Sequence, residues 1–333
     1  MAQTKYTNED LKNLQRLSLD RKILISQTRL LEWYKKYDNK CYIAFSGGKD
    51  STVLAYLAAQ VCQAQKCTLV LWFSDTGLEF PELRQHVKIY GNWLKEKFSI
   101  EVETVMEYPT DRKGNRIRFR DVILEKGYPV LSKRISRRIH DVQKMGQNCY
   151  SARCFDGRET GTYDLRRWSF MLDAPFKVSD RCCDTMKKNP ANRFTKKSGR
   201  MPIIGTLASE SQQRRVEWMR HGCNAFDNQK PVSRPLSFWI EQDILEMLVR
   251  YKIPYASAYG EIKKDDQGKW YTTGYNRTGC MFCAFGCHLE KEPNRFQRLK
   301  QTHPKVWEFC MKPVDQGGLG MKEVLEYIHV KYE

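Results

Sequence analysis

Residues 41–52 read CYIAFSGGKDST, and this short stretch combines three local signals. Residues 41–45 are apolar and favour a strand, whereas residues 52–61 (TVLAYLAAQV) are typical of a buried helix. Between them, two glycines permit a sharp turn that brings backbone N–H groups close to a ligand. The positive end of the following helix, the Lys49 ammonium and the nearby hydroxyls suit phosphate or sulfate oxygens. The stretch therefore predicts a strand, an anion-binding loop and a helix.

The residues that follow repeat this alternation. Residues 67–73 (CTLVLWF) predict a second buried strand, residues 81–98 a helix and residues 100–105 a third strand. Another strand is predicted at 201–206. Strands that alternate with helices indicate a parallel sheet covered on both faces, with ligands bound beyond the carboxyl ends of the strands. The fold class predicted from this pattern is α/β.

Three regions are predicted along the chain. Residues 1–40 form an N-terminal helical segment, and residues 41–260 form the α/β domain. A basic insertion at about 108–200 interrupts that domain, because periodicity weakens there while Lys and Arg accumulate. Residues 261–333 are rich in cysteine and aromatic side chains and form a C-terminal region.

Composition restricts the class of protein further. The 333 residues carry 57 Lys and Arg against 39 Asp and Glu, a net charge of +18 that points to an anionic partner. Hydrophobic residues make up 41%, too many for a disordered polybasic tail. No apolar run approaches the ~20 residues of a membrane span. The polar N-terminus is not a secretory signal, so the twelve cysteines are expected in the reducing cytoplasm and no membrane partner is expected.

The loop SGGKDST resembles the signature of the PP-loop ATP pyrophosphatases, and more narrowly of the phosphoadenosine phosphosulfate (PAPS) reductase-like family. Residues 74–82 resemble the second motif of that family, DTG followed by FPE. The chain also has similar later motifs in the same order: Gly205 with Glu210, Ser211 and Arg214 or Arg215, the stretch 235–259, Cys182-Cys183 and Cys280-x-x-Cys283. The resemblance implies a Rossmann-like, adenine nucleotide alpha hydrolase-like parallel sheet with helices on both faces.

The resemblance also implies a set of site residues. ATP-using members of the family cleave the α–β bond with Mg²⁺, adenylate an oxygen and release pyrophosphate. The predicted catalytic residues are Lys49, Asp50 and Asp75. Asp50 either helps to place Mg²⁺ or caps the helix, and Asp75 either binds the ribose or the metal or serves as a turn residue. The predicted nucleotide-binding residues are Ser46, Gly47, Gly48, Lys49, Asp50, Ser51, Thr52, Asp75, Gly205, Ser211, Arg214 and Arg215.

The cysteines form two sequence groups of interest. A CxxC places two thiolates on one turn, and four thiolates suit zinc or a [4Fe–4S] cluster. The family pattern implies that Cys182, Cys183, Cys280 and Cys283 hold a [4Fe–4S] cluster, with zinc as the alternative and plain packing of buried cysteines as a third reading. Cys287 either replaces one of these ligands, acts as a sulfur carrier near the cluster or is a packed residue.

These features predict an adenylating sulfurtransferase that acts on nucleic acid, as in tRNA thiolation or DNA phosphorothioation. A sulfur donor such as a cysteine desulfurase would be a partner, and a homodimer is one possible assembly. The net charge favours this hypothesis because positive side chains strengthen binding to a phosphate backbone by releasing its counterions. A second hypothesis is a sulfonucleotide (PAPS or APS) reductase, but no cysteine follows Cys310 to match the terminal nucleophile of those enzymes. A third is a non-catalytic nucleic-acid-binding protein, which the intact loop SGGKDST disfavours.

Overall fold

Strand 41–44 lies near the middle of a six-stranded sheet in the computed structural model, which describes residues 4–333. The strands of the described residues are β1 Cys41–Ala44, β2 Leu69–Ser74, β3 Val102–Glu107, β4 Val130–Leu131, β5 Met201–Ile204, β6 Asn224–Ala225, β7 Val232–Ser233, β8 Ile262–Lys264, β9 Trp270–Thr272 and β10 Ala284–Phe285. The sheet order is β3–β2–β1–β5–β7–β6, in which β6 alone pairs antiparallel. The predicted α/β class with its parallel sheet is confirmed.

Helices follow most of the strands, as the sequence alternation predicts. Within the described residues the α-helices are α1 Asn8–Gln15, α2 Leu19–Lys36, α3 Lys49–Gln65, α4 Pro81–Phe98, α5 Phe119–Lys126, α6 Lys133–Met145, α7 Asn189–Ser198, α8 Gln212–His221, α9 Glu241–Arg250, α10 Arg295–Thr302, α11 Pro304–Met311 and α12 Met321–Tyr327. None of these helices is both long enough and apolar enough to cross a membrane.

The chain divides into two compact units built from interleaved segments. The first, which we call the loop unit, comprises residues 4–75, 79–107 and 191–278. The second, which we call the cysteine unit, comprises residues 76–78, 108–190 and 279–333. The basic stretch after residue 108 and the C-terminal cysteines are therefore parts of the same unit, although nearly 100 residues of sequence separate them.

The sheet of the loop unit is buried on both faces. Side chains alternate along a strand, so Ile43 and Leu71 enter the large core whereas Tyr42 and Trp72 enter a smaller cluster with Phe194 of α7. Helix α3 is buried along most of its length, as expected for a helix that is apolar all round. The N-terminal segment packs on this core through residues such as Leu30 and Trp33, both fully buried.

The cysteine unit is assembled from shorter elements. Its strands β4 and β10 have two residues each and pair in parallel. Helices α5 and α6 lie in the stretch where the sequence showed weak periodicity. Helix α6 still buries Ile135, Ile139 and Val142, which recur at helical spacing between Lys and Arg residues. The remaining described segments of the unit include several 3₁₀ turns and a π-helical segment at Asp184–Lys188.

Candidate functional site

The glycine turn after β1 has a conformation that a larger residue would not tolerate. Gly47 has φ +74°, in the left-handed region that favours glycine. A Cβ atom at this position would lie 2.8 Å from the carbonyl oxygen of Leu83 and 3.0 Å from Cγ2 of Val87. The backbone therefore turns tightly against α4 before the chain enters α3. Gly48 then serves as the N-cap of α3, and it offers no side chain to cap the helix.

Hydroxyl groups line the inside of this turn. Ser46 Oγ lies 3.1 Å from Ser51 Oγ and accepts a hydrogen bond from the Gly48 N–H at 3.3 Å. Ser51 Oγ also donates to the Gly48 carbonyl at 2.9 Å. Thr52 is fully buried and its hydroxyl lies 3.0 Å from His86 Nε2. The two serines thus hold the loop in shape, whereas Thr52 contacts α4.

The Lys49 side chain is held by neighbours that lie far away in sequence. Its ammonium donates to Glu241 Oε1 and to the carbonyl oxygen of Asn276, both at 2.6 Å. Its backbone N–H donates to the Tyr259 hydroxyl at 3.1 Å, and that hydroxyl also contacts Thr278. The positive charge predicted for phosphate binding is present at the loop and is paired with Glu241.

Asp50 has one oxygen with no protein partner. Its Oδ1 atom is buried and forms no hydrogen bond, so this oxygen does not cap the helix. Burial raises the pKa of the Asp50 carboxyl, while the charges of Lys49, Arg277 and Arg214 oppose that rise. A buried oxygen without a partner carries an energetic penalty. A bound cation or a hydrogen-bond donor would remove that penalty, which is consistent with a metal-placing role.

The positive charges of two arginines, Arg214 and Arg277, act on the Asp50 carboxyl and oppose the rise of its pKa. Arg214 forms an ion pair with Glu210, and Arg277 lies 3.8 Å from the same carboxylate. Burial, followed by the neighbouring charge of Arg277, lowers the pKa of the Arg214 guanidinium. Arg215 is exposed and is not among the groups that shift the pKa of Asp50. Of the two arginines the sequence offered, the structure brings Arg214 to the loop.

Gly205 and Ser211 shape the backbone next to the loop 46–52. A Cβ atom on Gly205, at the end of β5, would lie 3.2 Å from the Asp50 carbonyl and from Ser51 Cα. Glycine therefore lets β5 approach the start of α3 closely. Ser211 is the N-cap of α8, and its Oγ accepts a hydrogen bond from the Arg214 N–H at 3.3 Å. Ser211 thus fixes the turn that carries Arg214.

Asp75 follows β2, the strand next to β1, so both strands end at the same edge of the parallel sheet. The Asp75 carboxylate is almost fully buried and forms an ion pair with Arg84 of α4 at 2.6 Å. Its backbone N–H donates to the Glu107 carbonyl at 2.8 Å. In this structure Arg84, rather than a residue of the loop, is the ion-pair partner of Asp75.

The four cysteines of the family pattern all lie in the cysteine unit. Burial raises the pKa of the Cys182 thiol well above its usual range, and the thiols of Cys280, Cys183 and Cys283 add to the shift. Burial, followed by Cys280, raises the pKa of Cys283 to about 11. Cys182 and Cys183 immediately precede the π-helical segment, an element that occurs frequently at functional sites.

The cysteines of the family pattern offer sulfur donors. Across residues 4–333, no three His, Cys, Asp or Glu side chains are grouped closely enough to hold one metal ion. Soft thiolates are typical ligands of zinc and of [4Fe–4S] clusters, so the donor type of these cysteines suits either group. Cys287 is buried and donates its S–H to the Ala284 carbonyl at 3.1 Å, so it is packed in this structure.

Sequence reasoning missed several residues of the loop environment. Glu241, Asn276 and Arg277 lie more than 180 residues from the loop, and His86 and Arg84 lie on α4. Local patterns carry no information about such long-range pairs. The positions of Glu241 at the first turn of α9 and of Arg277 shortly before the CxxC gave no distinguishing signal.

Comparison with known proteins places part of this architecture in a family. The family model of the phosphoadenosine phosphosulfate reductase domain matches residues 160–285. An uncharacterized protein of Methanocaldococcus jannaschii is 22% identical over 278 residues, which are 83% of this chain and 41% of the relative. The chain therefore spans about two-fifths of that relative's length. The U34-tRNA thiolase NcsA from Methanococcus maripaludis, solved with its [4Fe–4S] cluster, is 15% identical with a TM-score of 0.35. That alignment covers 71% of this chain and 66% of the thiolase.

The matched segment contains all four cysteines of the family pattern and the stretch from Gly205 to Arg215. It begins after the loop 46–52, which the structure places between a strand and a helix. Residues 160–285 therefore match a PAPS reductase domain, which confirms the family resemblance predicted from the motifs in that segment.

Proposed function

We propose that this protein is a PP-loop enzyme that cleaves ATP to AMP and pyrophosphate and so activates a substrate for sulfur transfer, with nucleic acid as the acceptor. The observation that carries the proposal is the loop itself. A glycine at φ +74° turns the chain after β1, and α3 then begins without a side-chain cap. Apart from the Lys49 N–H, which donates to Tyr259, the first-turn N–H groups of α3 are donors for an anion.

The charges around the loop support phosphate chemistry. Lys49, Arg214 and Arg277 supply positive charge, and Asp50 supplies a buried carboxylate oxygen without a protein partner. Asp50 and Asp75 are the carboxylates that would hold Mg²⁺, which when bound neutralises charge on the phosphates. Because Lys49 is paired with Glu241, we propose that it exchanges this carboxylate for a phosphate oxygen when the nucleotide binds.

The proposed reaction has two displacement steps. An oxygen of the acceptor attacks the α-phosphorus, and the bond from that phosphorus to the bridging oxygen breaks, so pyrophosphate leaves with the electron pair. Hydrosulfide from a sulfur donor then attacks the activated carbon of a base or phosphorus of a backbone, so that a bond to sulfur forms while AMP leaves with the acceptor oxygen and the electron pair. Lys49 and the loop N–H groups would stabilise the negative charge that develops on the phosphates.

The cysteine unit supplies the second part of the proposal. Cys182, Cys183, Cys280 and Cys283 would hold a [4Fe–4S] cluster, with zinc as the alternative. Such a cluster, when bound, supplies a site at which sulfur is held or delivered. The basic stretch 112–138 lies in the same unit and suits a nucleic-acid backbone, whether of tRNA or of DNA.

The direct test measures pyrophosphate and AMP from ATP in the presence of tRNA or DNA. Lys49→Ala is expected to lower turnover by about 100-fold or more, the scale for loss of one group that stabilises developing charge. Lys88→Ala, on the exposed side of α4, removes the same charge and serves as the matched control. Thermal unfolding of both variants separates lost chemistry from lost structure. Pyrophosphate release that is equal in wild type and Lys49→Ala would contradict the proposal.

A sulfonucleotide reductase is the second candidate, and the match to the PAPS reductase domain favours it. It predicts release of sulfite from PAPS or APS with a thiol as reductant, and no pyrophosphate from ATP with any nucleic acid. Assaying both products in one preparation decides between the two functions. Binding of nucleic acid without either product would instead favour a non-catalytic accessory protein.

A further inference from the structure

A cavity of about 460 Å³ lies within the cysteine unit, and the site described above does not use it. Its volume falls in the range of small-ligand pockets. One wall contains Phe282, the residue between Cys280 and Cys283, and another contains Gly77 of the DTG motif. The Met281 N–H donates to the Leu78 carbonyl at 2.8 Å, which joins these two walls. Two motifs about 200 residues apart in sequence thus build one pocket.

The apolar side of the cavity is a short series of aromatic rings. Phe119 and Phe282 are buried and stack with ring centroids 6.2 Å apart at 27°. Phe309 follows, with its centroid 6.1 Å from Phe282, and 43% of its surface is exposed. An exposed ring at the mouth of a cavity offers a face on which a planar base can stack. Such stacking tolerates any base because every base has a π face.

The polar side is positively charged. Arg116 and Arg118 line the cavity, and both residues are exposed. Arg116 stacks on Tyr108 at 3.7 Å, which fixes its direction while leaving its N–H groups available. Asp315 is the carboxylate among the lining residues, and its oxygens suit an exocyclic amino group of a base.

Arg120 has a different role. It donates to the carbonyl of Val314 at 2.8 Å and to that of Gly318 at 3.3 Å. These bonds hold the segment that carries Asp315 at the rim of the cavity. Arg116 and Arg118 remain for a ligand, and the basic run 112–120 continues beyond the cavity. A polyanion that extends past the pocket matches this run better than a single small phosphate ester does.

We propose that the cavity binds one unstacked nucleotide of a single-stranded nucleic acid, with its base against Phe309 and its phosphate at Arg116 and Arg118. This inference rests on the proposed function, since it names the part of the acceptor that enters the cysteine unit. The base would then stand against Phe282, within the segment that carries two of the four proposed cluster ligands.

The test measures binding of a short fluorescein-labelled single-stranded RNA, and of DNA of the same sequence, by fluorescence anisotropy. Phe309→Ala is expected to weaken binding about tenfold or more, the scale of one base–aromatic stack. Tyr271→Ala is the matched control, because Tyr271 is equally exposed at 43% and lies in the loop unit. Arg118→Gln should reduce the slope of log affinity against log salt by about one. Arg21→Gln removes the same charge from an exposed helix position and should not.

The results of these measurements distinguish a single-stranded nucleic acid from a free nucleotide as the ligand of the cavity. Equal affinity of Phe309→Ala and Tyr271→Ala overturns the inference, as does failure of the wild type to bind either oligonucleotide. Full competition by AMP at concentrations similar to the oligonucleotide shows a free nucleotide as the occupant and also overturns it. Pyrophosphate release from ATP, measured on the same preparations, shows separately whether the proposed function stands.

Discussion

The loop unit and the cysteine unit are organised by different physical means. The loop unit surrounds a six-stranded sheet with two apolar clusters, and its helices α2, α3 and α4 have 17 or 18 residues each. In the cysteine unit the described strands have two residues, and the helices α5, α6, α10, α11 and α12 have 7 to 13 residues each. Burial of apolar surface explains the first unit. The cysteine unit also buries apolar side chains such as Ile139, Phe296 and Leu325. We expect a cluster shared by the cysteines of the family pattern to add further order to it.

The strongest test of this contrast removes one thiol at a time. Cys182→Ser and Cys280→Ser are expected to lose essentially all bound iron after anaerobic purification, because metal binding and folding are coupled in small metal-dependent units. Amide hydrogen exchange is expected to rise in 133–145 of the cysteine unit and to stay slow in 49–65 of the loop unit. Iron and sulfide analysis with exchange mass spectrometry measures both effects.

Cys154→Ser provides the control, because Cys154 is also buried in the cysteine unit but lies outside the proposed set. It is expected to keep its iron. Wild-type protein that contains zinc and no iron would refute the cluster, and unchanged iron in Cys182→Ser would refute the assignment of that ligand.

A smaller predicted effect is a dependence of the free energy of unfolding on pH, which arises from a residue of the loop unit. Burial lowers the pKa of His86 to about 4, whereas an unfolded chain has a histidine pKa near 6.5. The unfolded state therefore binds the proton first as the pH falls. Stability is fully present above about pH 6.5 and declines toward pH 4, by about 3 kcal/mol in total. Urea unfolding of wild type between these pH values measures the decline.

His86→Gln removes the titrating ring and keeps a polar group near the Thr52 hydroxyl. Its free energy of unfolding is expected to depend less on pH over the same range. A variant that loses as much stability as the wild type between pH 6.5 and 4 would assign the effect to other groups.

The smallest predicted effect returns to the cysteine unit. Ser132 is the N-cap of α6, and its Oγ accepts a hydrogen bond from the Ile135 N–H at 3.2 Å. Ser132→Ala is expected to cost about 1 kcal/mol of unfolding free energy in a denaturant titration. Ser132→Asp should retain the cap, since Asp is equally preferred there and its charge is favourable at a helix N-terminus. Equal stability of the Ala and Asp variants would show that this cap does not limit the unit.

The two units also differ in how far sequence predicted them. The helix predicted at 81–98 is observed at those bounds, and β1 and α3 flank the loop as expected. The signals of β1 and α3 are continuous apolar runs, whereas 81–98 begins at a proline and repeats apolar residues at helical spacing. Local reading detects both kinds of signal. Helices α5 and α6 were not predicted, because frequent Lys and Arg residues obscured the apolar positions of α6. Those positions are nevertheless spaced as in a helix.

The candidate site was predictable to the extent that its residues were local. The turn at Gly47 follows from the sequence, whereas the pairing of Lys49 with Glu241 joins residues 192 positions apart. The orphaned oxygen of Asp50 is likewise a consequence of tertiary packing. Such contacts form between segments that are distant in sequence. No local pattern in a single sequence predicts which of these segments pack together.

The position of β5 has a consequence for biosynthesis. Strand β1 ends at residue 44 and pairs with β5, which begins at residue 201. At translation rates of ~5–20 residues per second, the ribosome needs roughly 10–30 s to supply that partner. Throughout this interval one edge of the most central part of the sheet is open to other chains. Nascent-chain aggregation and chaperone demand should therefore peak before residue 204 has left the exit tunnel.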